Sequence, residues 1–171
     1  MGLPDEAGDD IFLPSGLLRV DLFCEAALAA LAESIRLARE TRWDNLRSPH
    51  VFMGLLAVPD PGVRNWGERL QADLPRLLEQ FQELFHQEEG EREPLLLLNR
   101  EFFSDNVIRL LREAWHRARE NGRPYVTPMD LLICLLTSTH SIVAECFERI
   151  GFTAAKLTEL AVIAEHASDE P

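Results

Sequence analysis

Long apolar runs are missing from this sequence of 171 residues. No run approaches the roughly 18 to 20 apolar residues that a membrane-spanning helix requires. The N-terminus opens with MGLPDEAGDD, which is acidic where a secretory signal would be basic. We therefore predict a cytoplasmic protein with no membrane partner.

Basic residues are outnumbered, and the formal net charge is -12. Nucleic-acid binding requires a basic surface, so this charge argues against a nucleic-acid partner. Cysteine is also scarce: Cys24, Cys134 and Cys146 lie far apart, with neither CxxC nor Cys/His metal spacing. These residues predict reduced thiols in or near the core, and we expect no metal site.

Motifs for catalysis and nucleotide binding are absent as well. The sequence contains no HExxH motif, no GxSxG motif and no GxxxxGK[ST] phosphate loop. None of the five histidines belongs to a recognisable catalytic or ligand pattern. We predict a protein that is not an enzyme, with no catalytic residues, no cofactor and no ATP binding.

An internal repeat is the strongest positive signal. The tripeptide Ala38-Arg39-Glu40 recurs as Ala118-Arg119-Glu120, an offset of 80 residues. At that offset residues 21–86 align with 101–166 without a gap, and 14 of 66 positions are identical. The match predicts that one structural unit occurs twice.

Each copy shows the same succession of helical patterns. A long amphipathic helix at about 21–42 is repeated at 104–121. Ser48-Pro49 begins a short second helix in copy one, and Thr127-Pro128 does so in copy two, where Asp130 can complete a capping box. Two further short helices follow in each copy. The pattern predicts an all-α fold of two pseudo-symmetric four-helix repeats, about eight helices, with six buried leucines: Leu31, Leu55, Leu56, Leu111, Leu135 and Leu136.

The domain boundaries follow from these patterns. We expect an acidic N-terminal segment at 1–17, one domain at 18–167 and a tail at 168–171. Within the domain, repeat one spans 21–86, an acidic linker spans 87–94 and repeat two spans 101–166.

Four short motifs resemble those of the Clp N-terminal domain, the substrate- and adaptor-binding module of Clp-type AAA+ unfoldases. They are FCEAA from Phe23, FSDNV from Phe103, SPHVFMGLL from Ser48 and TPMDLLICLL from Thr127. The resemblance covers about residues 18–167. It implies a stand-alone relative, or an excised front domain, without the ATPase modules. It also implies a structural hydrogen bond for His50.

The sequence departs from that family at the positions of a phosphoarginine pocket. Some members hold phosphorylated arginine with a threonine and a glutamate in each repeat. Here the corresponding residues are Cys24 and Pro49 in copy one, and Ser104 and Met129 in copy two. Without the two carboxylates nothing pairs with a guanidinium group, so we expect no phosphoarginine recognition.

Two classes of function remain open. The first is a non-catalytic protein-interaction module that binds a peptide or helix of a partner, such as an AAA+ unfoldase, its client or an adaptor. The second is a small regulatory or ligand-binding protein with a pocket between the repeats. The chain is expected to be a monomer or a weak dimer.

Pairs of large apolar residues at the start of each repeat suggest a docking surface. Neighbouring helical residues point about 100° apart, so one residue of each pair is expected to be exposed. The offset match assigns Phe23 and Phe103 to the core. The alternative is that the remaining residues cover the seam between the repeats. The candidate partner-binding residues are Leu22, Phe102, Leu95, Leu96, Pro49 and Met129.

Overall fold

Eight α-helices in two consecutive sets of four make up most of the described chain. The computed structural model describes residues 10–88 and 97–169. Short 3-10 turns at Val20–Leu22 and Arg100–Phe102 precede the two sets. The helices of repeat one are α1 (Glu25–Glu40), α2 (Ser48–Ala57), α3 (Pro61–Leu70) and α4 (Leu74–Phe85). Those of repeat two are α5 (Asp105–Glu120), α6 (Pro128–Thr137), α7 (Ile142–Glu148) and α8 (Ala154–Asp169).

The predicted repeat is confirmed by the helix boundaries. Helices α1 and α5 differ by 80 residues at both ends, and so do α2 and α6. Helix α7 is three residues shorter than α3: at that offset it begins one residue later and ends two residues earlier. The all-α prediction with two four-helix repeats is therefore correct.

Capping residues explain where the second helices begin. Thr127 caps α6, and the Asp130 carboxylate accepts from the Thr127 backbone N–H at 2.9 Å, as predicted. In repeat one the helix begins at Ser48, as predicted, and its N-cap is Arg47. There His50 Nδ1 accepts from the Arg47 backbone N–H at 3.0 Å and takes the place that Asp130 has in repeat two.

Helices α2 and α6 lie at the centre of the core. Every residue of 49–56 and of 128–136 is buried. Both helices therefore have apolar residues on all sides, which is typical of a helix surrounded by others. The six leucines predicted to be buried are at most 3% exposed.

An aromatic cluster joins the two repeats. Phe52 and Trp66 of repeat one each lie 5.9 Å, between ring centroids, from Phe147 of repeat two. The indole N–H of Trp66 donates to the Leu157 carbonyl of α8 at 3.1 Å. Edge-to-face aromatic pairs and a satisfied indole make this seam part of one continuous core.

No single helix of the described chain is long and apolar enough to cross a membrane. Helices α6 and α7 pass that test only together, and they are bent by 70° at their connection. Helix α6 is buried in the core between the repeats.

Candidate functional site

A small hairpin precedes the first repeat. Phe12 pairs with Leu18 in an antiparallel bridge, and the turn between them closes with a bond of 2.8 Å from the Gly16 N–H to the Leu13 carbonyl. Pro14 suits the first central position of such a turn, and Gly16 has a φ of +93° that favours glycine. Ile11, Phe12 and Leu18 are buried, so packed structure begins before residue 18.

The chain that leads into repeat two adds a third extended segment to this hairpin. Leu17 pairs with Asn99, and the Leu18 N–H donates to the Leu98 carbonyl at 3.0 Å. The segment at 17–19 therefore lies between the other two segments. A Cβ on Gly16 would lie 2.9 Å from Asn99 Oδ1, which shows how closely the segments approach.

Three leucines lie on the outer side of this structure, and we call them the hairpin patch: Leu13, Leu17 and Leu97. The register places Leu13 opposite Leu17. Leu97 lies two residues before Asn99, the pairing partner of Leu17, and a tight turn at Leu98 separates them, closed by a bond of 2.7 Å from the Asn99 N–H to the Leu97 carbonyl. Phe12 and Leu18 face the core. The patch leucines are 45%, 45% and 46% exposed. The patch is therefore an exposed apolar area at the start of the domain.

The predicted anchor Leu22 is not exposed. It is only 6% exposed, because the Val126 N–H donates to the Leu22 carbonyl at 2.7 Å and draws its 3-10 turn against repeat two. Phe102 is half-buried and packs against the core. Phe23 and Phe103 are buried, as predicted. A partner-binding role for Leu22 and Phe102 stays a prediction.

The other predicted residues fall in three places. Leu95 and Leu96 lie outside the described residues, but Leu97 of the same leucine run belongs to the hairpin patch. Pro49 is buried at the start of α2. Met129 is 3% exposed and packs against Gly62, where a Cβ would lie 2.6 Å from Met129 Cγ.

Cavities near the seam are small. The cavity that Asp60 and Gly62 share with Met129, Arg123 and Glu165 has a volume of about 140 Å³. A drug-sized ligand usually occupies about 300 to 1,000 Å³. Two larger grooves, of about 540 and 500 Å³, are each lined by residues of one repeat only.

A cluster of four charged residues lies in repeat two, where the two carboxylates are buried and the two arginines are partly buried. Arg117 donates to Asp130 at 2.7 Å and to both oxygens of Glu165 at 2.7 and 2.8 Å, and Arg123 pairs with Asp130 as well. Burial alone would raise the pKa of Glu165, but the hydrogen bond and charge of Arg117, with the charge of Arg123, lower it. Two guanidinium groups occupy these carboxylates, so the cluster is structural.

Repeat one has aromatic and apolar residues at the same four positions. Leu37, Trp43, His50 and Phe85 stand where Arg117, Arg123, Asp130 and Glu165 stand in repeat two. The residues at these positions are also in contact with one another in repeat one. The ring centroids of Trp43 and His50 lie 5.5 Å apart, and the Trp43 indole N–H donates to the Phe85 carbonyl at 2.5 Å. Burial, with a smaller effect of Arg47, lowers the pKa of His50 to about 4.

The described residues contain no group of three or more His, Cys, Asp or Glu side chains placed to hold a metal ion. The three cysteines are unpaired. Burial raises the pKa of the Cys134 thiol to about 12, which leaves it a weak nucleophile.

No protein-family model and no curated protein matches the sequence. Solved structures do match the fold. The N-terminal domain of the chaperone ClpD from Arabidopsis thaliana superposes with a TM-score of 0.65 at 21% identity, over 88% of this chain and 97% of that one. This chain has the Clp N-terminal fold.

Two more Clp N-terminal folds extend the comparison. The Hsp104 N-terminal domain from Candida albicans gives a TM-score of 0.66 at 14% identity, over 82% of this chain and 89% of that one. The ClpV N-domain in complex with a VipB peptide gives 0.62 at 20% identity, over 85% of this chain and 89% of that one. The TM-scores show that the fold is shared, and at identities of 14 to 21% they show the fold alone.

Proposed function

We propose that this chain is a non-catalytic protein-interaction module that binds a peptide or helix of a partner protein. The observation that carries the proposal is the hairpin patch, three leucines that are nearly half exposed on neighbouring segments of the chain. The fold supports it, because the ClpV N-domain with the same fold was solved with a VipB peptide. An AAA+ unfoldase, its client or an adaptor remains the expected kind of partner.

Several features support a binding rather than a catalytic role. The carboxylates of the charged cluster are paired with arginines, and His50 is buried and hydrogen-bonded to backbone. The unpaired cysteines fit the reducing cytoplasm, where we expect the chain to act.

The alternative, a ligand pocket between the repeats, has less support. Its cavity of about 140 Å³ is smaller than the usual volume for a small-molecule site. A thermal-shift screen with small molecules tests this alternative, and we expect no stabilising compound.

The patch is tested with Leu13→Asp combined with Leu17→Asp. Wild-type protein is used as bait, the captured partner is purified, and its binding is measured by calorimetry. The double variant should stay folded by circular dichroism and lose binding at least about tenfold, because two buried apolar contacts are lost. Ile150→Asp is the matched control, since Ile150 is 65% exposed but lies outside the patch. Equal binding by the double variant and the wild type would refute the assignment.

A further inference from the structure

A groove in repeat two differs in its chemistry from the hairpin patch. We propose that it binds a segment of a partner protein that carries cationic side chains, and we call it the repeat-two groove. It has a volume of about 540 Å³, within the range of about 300 to 1,000 Å³ that is usual for ligand sites. Its walls are the C-terminal end of α6, the helix α7 and the start of α8. This site goes beyond the proposed function, which rests on the hairpin patch.

Three hydroxyl groups in the lining have already donated their protons within the chain. Thr137 Oγ1 donates to the Ile133 carbonyl at 2.9 Å, and Ser141 Oγ donates to the Leu135 carbonyl at 2.6 Å. Ser138 Oγ donates to the same Leu135 carbonyl at 3.3 Å. A hydroxyl group has one proton, so any further hydrogen bond to these oxygens is one that they accept.

Carboxylates add negative charge to the lining. Glu145 and Glu148 are both exposed, and a spacing of three residues places them on the same side of α7. Among the described residues neither carboxylate has an ion-pair partner, and the described lining contains no lysine or arginine. Leu136 and Thr137 line the groove at the C-terminal end of α6, where the helix dipole is negative.

Basic residues in the neighbourhood do not cancel this charge. Arg149 lies outside the lining, and Lys156 pairs with Glu159 at 3.9 Å. Arg109 lines an adjoining cavity of about 40 Å³ together with Glu113, which carries the opposite charge. The groove thus offers hydrogen-bond acceptors and negative charge. Lysine and arginine side chains offer only donors and positive charge, so they are complementary to it.

This chemistry does not belong to the repeated fold, because repeat one differs at the same positions. At the offset of 80, repeat one has Ala57 for Thr137, Val58 for Ser138, Pro61 for Ser141, Arg64 for Ala144, Leu74 for Ala154 and Leu78 for Thr158. Leu74 and Leu78 pack against the core. Repeat two has smaller residues at these two positions, which leaves space for the apolar stem of a lysine or arginine side chain.

The experiment uses three fluorescent peptides of about ten residues, a length too short for a stable helix in water. Alanine alternates in them with lysine, glutamine or glutamate. Binding to the full chain is followed by fluorescence anisotropy at low and high salt. The lysine peptide should bind at least about tenfold more tightly than the glutamine peptide, and this preference should shrink as salt is added.

A pair of charge variants locates the effect. Glu145→Gln with Glu148→Gln should stay folded by circular dichroism and weaken binding of the lysine peptide by about tenfold, because the charge of the groove is lost. The matched control is Glu68→Gln with Glu120→Gln, which neutralises two exposed glutamates outside the groove. The control loses the same total charge and should change binding by less than about twofold.

Two further variants test the shape and the position of the site. Ala154→Leu with Thr158→Leu introduces the residues of repeat one and leaves the charge unchanged, so it should abolish binding by filling the groove. Leu13→Ser with Leu17→Ser alters the hairpin patch and should bind the lysine peptide as the wild type does.

The outcomes separate this proposal from the proposed function. If the lysine peptide does not bind the wild type, the groove assignment is refuted and the hairpin patch is unaffected. Equal binding of the three peptides, or equal weakening by both charge variants, would also refute it. Loss of binding in Leu13→Ser with Leu17→Ser would place the peptide on the hairpin patch instead. Dimerisation of the chain that Ala154→Leu with Thr158→Leu abolishes would assign the groove to a second copy and overturn the proposal.

Discussion

Cys24 and Val126 are joined by a backbone hydrogen bond of 3.0 Å that links the start of repeat one to repeat two. At the offset of 80, Ser104 and Leu46 make the reciprocal bond, at 2.9 Å. In both cases the residue just before the first helix of one repeat bonds to the segment just before the second helix of the other repeat. The two repeats are interlocked as well as packed together.

This interlocking predicts that neither repeat folds alone. Fragments 1–90 and 91–171, expressed separately, should show no cooperative thermal unfolding, because each lacks its pairing segment and half of the aromatic cluster. An equimolar mixture of the two fragments should again unfold cooperatively. The control is the full chain cut after Gly90 by an inserted protease site, which should remain folded. A cooperative transition in either isolated fragment would contradict the prediction.

Close packing of α1 on α2 predicts a large effect of Gly54→Ala. A Cβ at Gly54 would lie 2.1 Å from Ser34 Oγ and 2.2 Å from the Ala30 carbonyl oxygen. Because one of these atoms belongs to the backbone, the helices must separate, and we expect a loss of about 3 kcal/mol in the free energy of unfolding. Urea denaturation measures it. Gly122→Ala is the control: its Cβ meets nothing within 4 Å, so only its positive φ should cost about 1 kcal/mol. Equal losses for the two variants would disprove tight packing.

Local sequence patterns predicted the helices and the core well. The offset of 80 aligned Phe23 with Phe103 and Leu31 with Leu111, and all four are buried. Helix caps such as Thr127 with Asp130 depend on neighbouring residues, so they too were predictable.

Features that depend on contacts distant in sequence were missed. Leu22 is buried by its pairing with Val126, which no local pattern indicates. The hairpin left a weaker signal: Pro14 and Gly16 between apolar residues are typical of a tight turn. The charged cluster also left a signal in the sequence. At positions that the repeat predicts to be buried, Arg117 and Asp130 stand where repeat one has Leu37 and His50.

The buried charged cluster predicts a strong effect of Asp130→Asn. The Asp130 side chain is fully buried and pairs with both Arg117 and Arg123. Its loss leaves two guanidinium groups with one carboxylate, which should cost about 3 to 5 kcal/mol in unfolding free energy. Glu159→Gln is the control, because its pair with Lys156 is exposed and 3.9 Å long, so it should change stability by less than about 0.5 kcal/mol. If Asp130→Asn also changed the free energy of unfolding by less than about 0.5 kcal/mol, the cluster would add no net stability.

Buried His50 predicts that the chain loses stability on mild acidification. Its pKa is lowered from 6.5 to about 4, so between these values the unfolded chain binds a proton that the folded chain does not. The free energy of unfolding should therefore fall by about 1.4 kcal/mol for each pH unit, about 3 kcal/mol in all, as the pH decreases from 6.5 to 4. Urea denaturation at several pH values measures this slope.

The variant His50→Gln isolates the contribution of the imidazole. A glutamine oxygen can still accept from the Arg47 N–H, but the side chain does not titrate in this range. Glu165 contributes in the same direction only near and below its unfolded pKa of 4.5, since a lowered folded pKa means that its stabilisation is lost as the carboxylate is protonated. Between pH 6.5 and 5 the free energy of unfolding should therefore fall more steeply with decreasing pH in the wild type than in His50→Gln. The difference between the two slopes should correspond to nearly one proton taken up on unfolding. Identical slopes for the two proteins would mean that His50 is protonated in the folded chain, which its burial and its hydrogen bond from backbone N–H argue against.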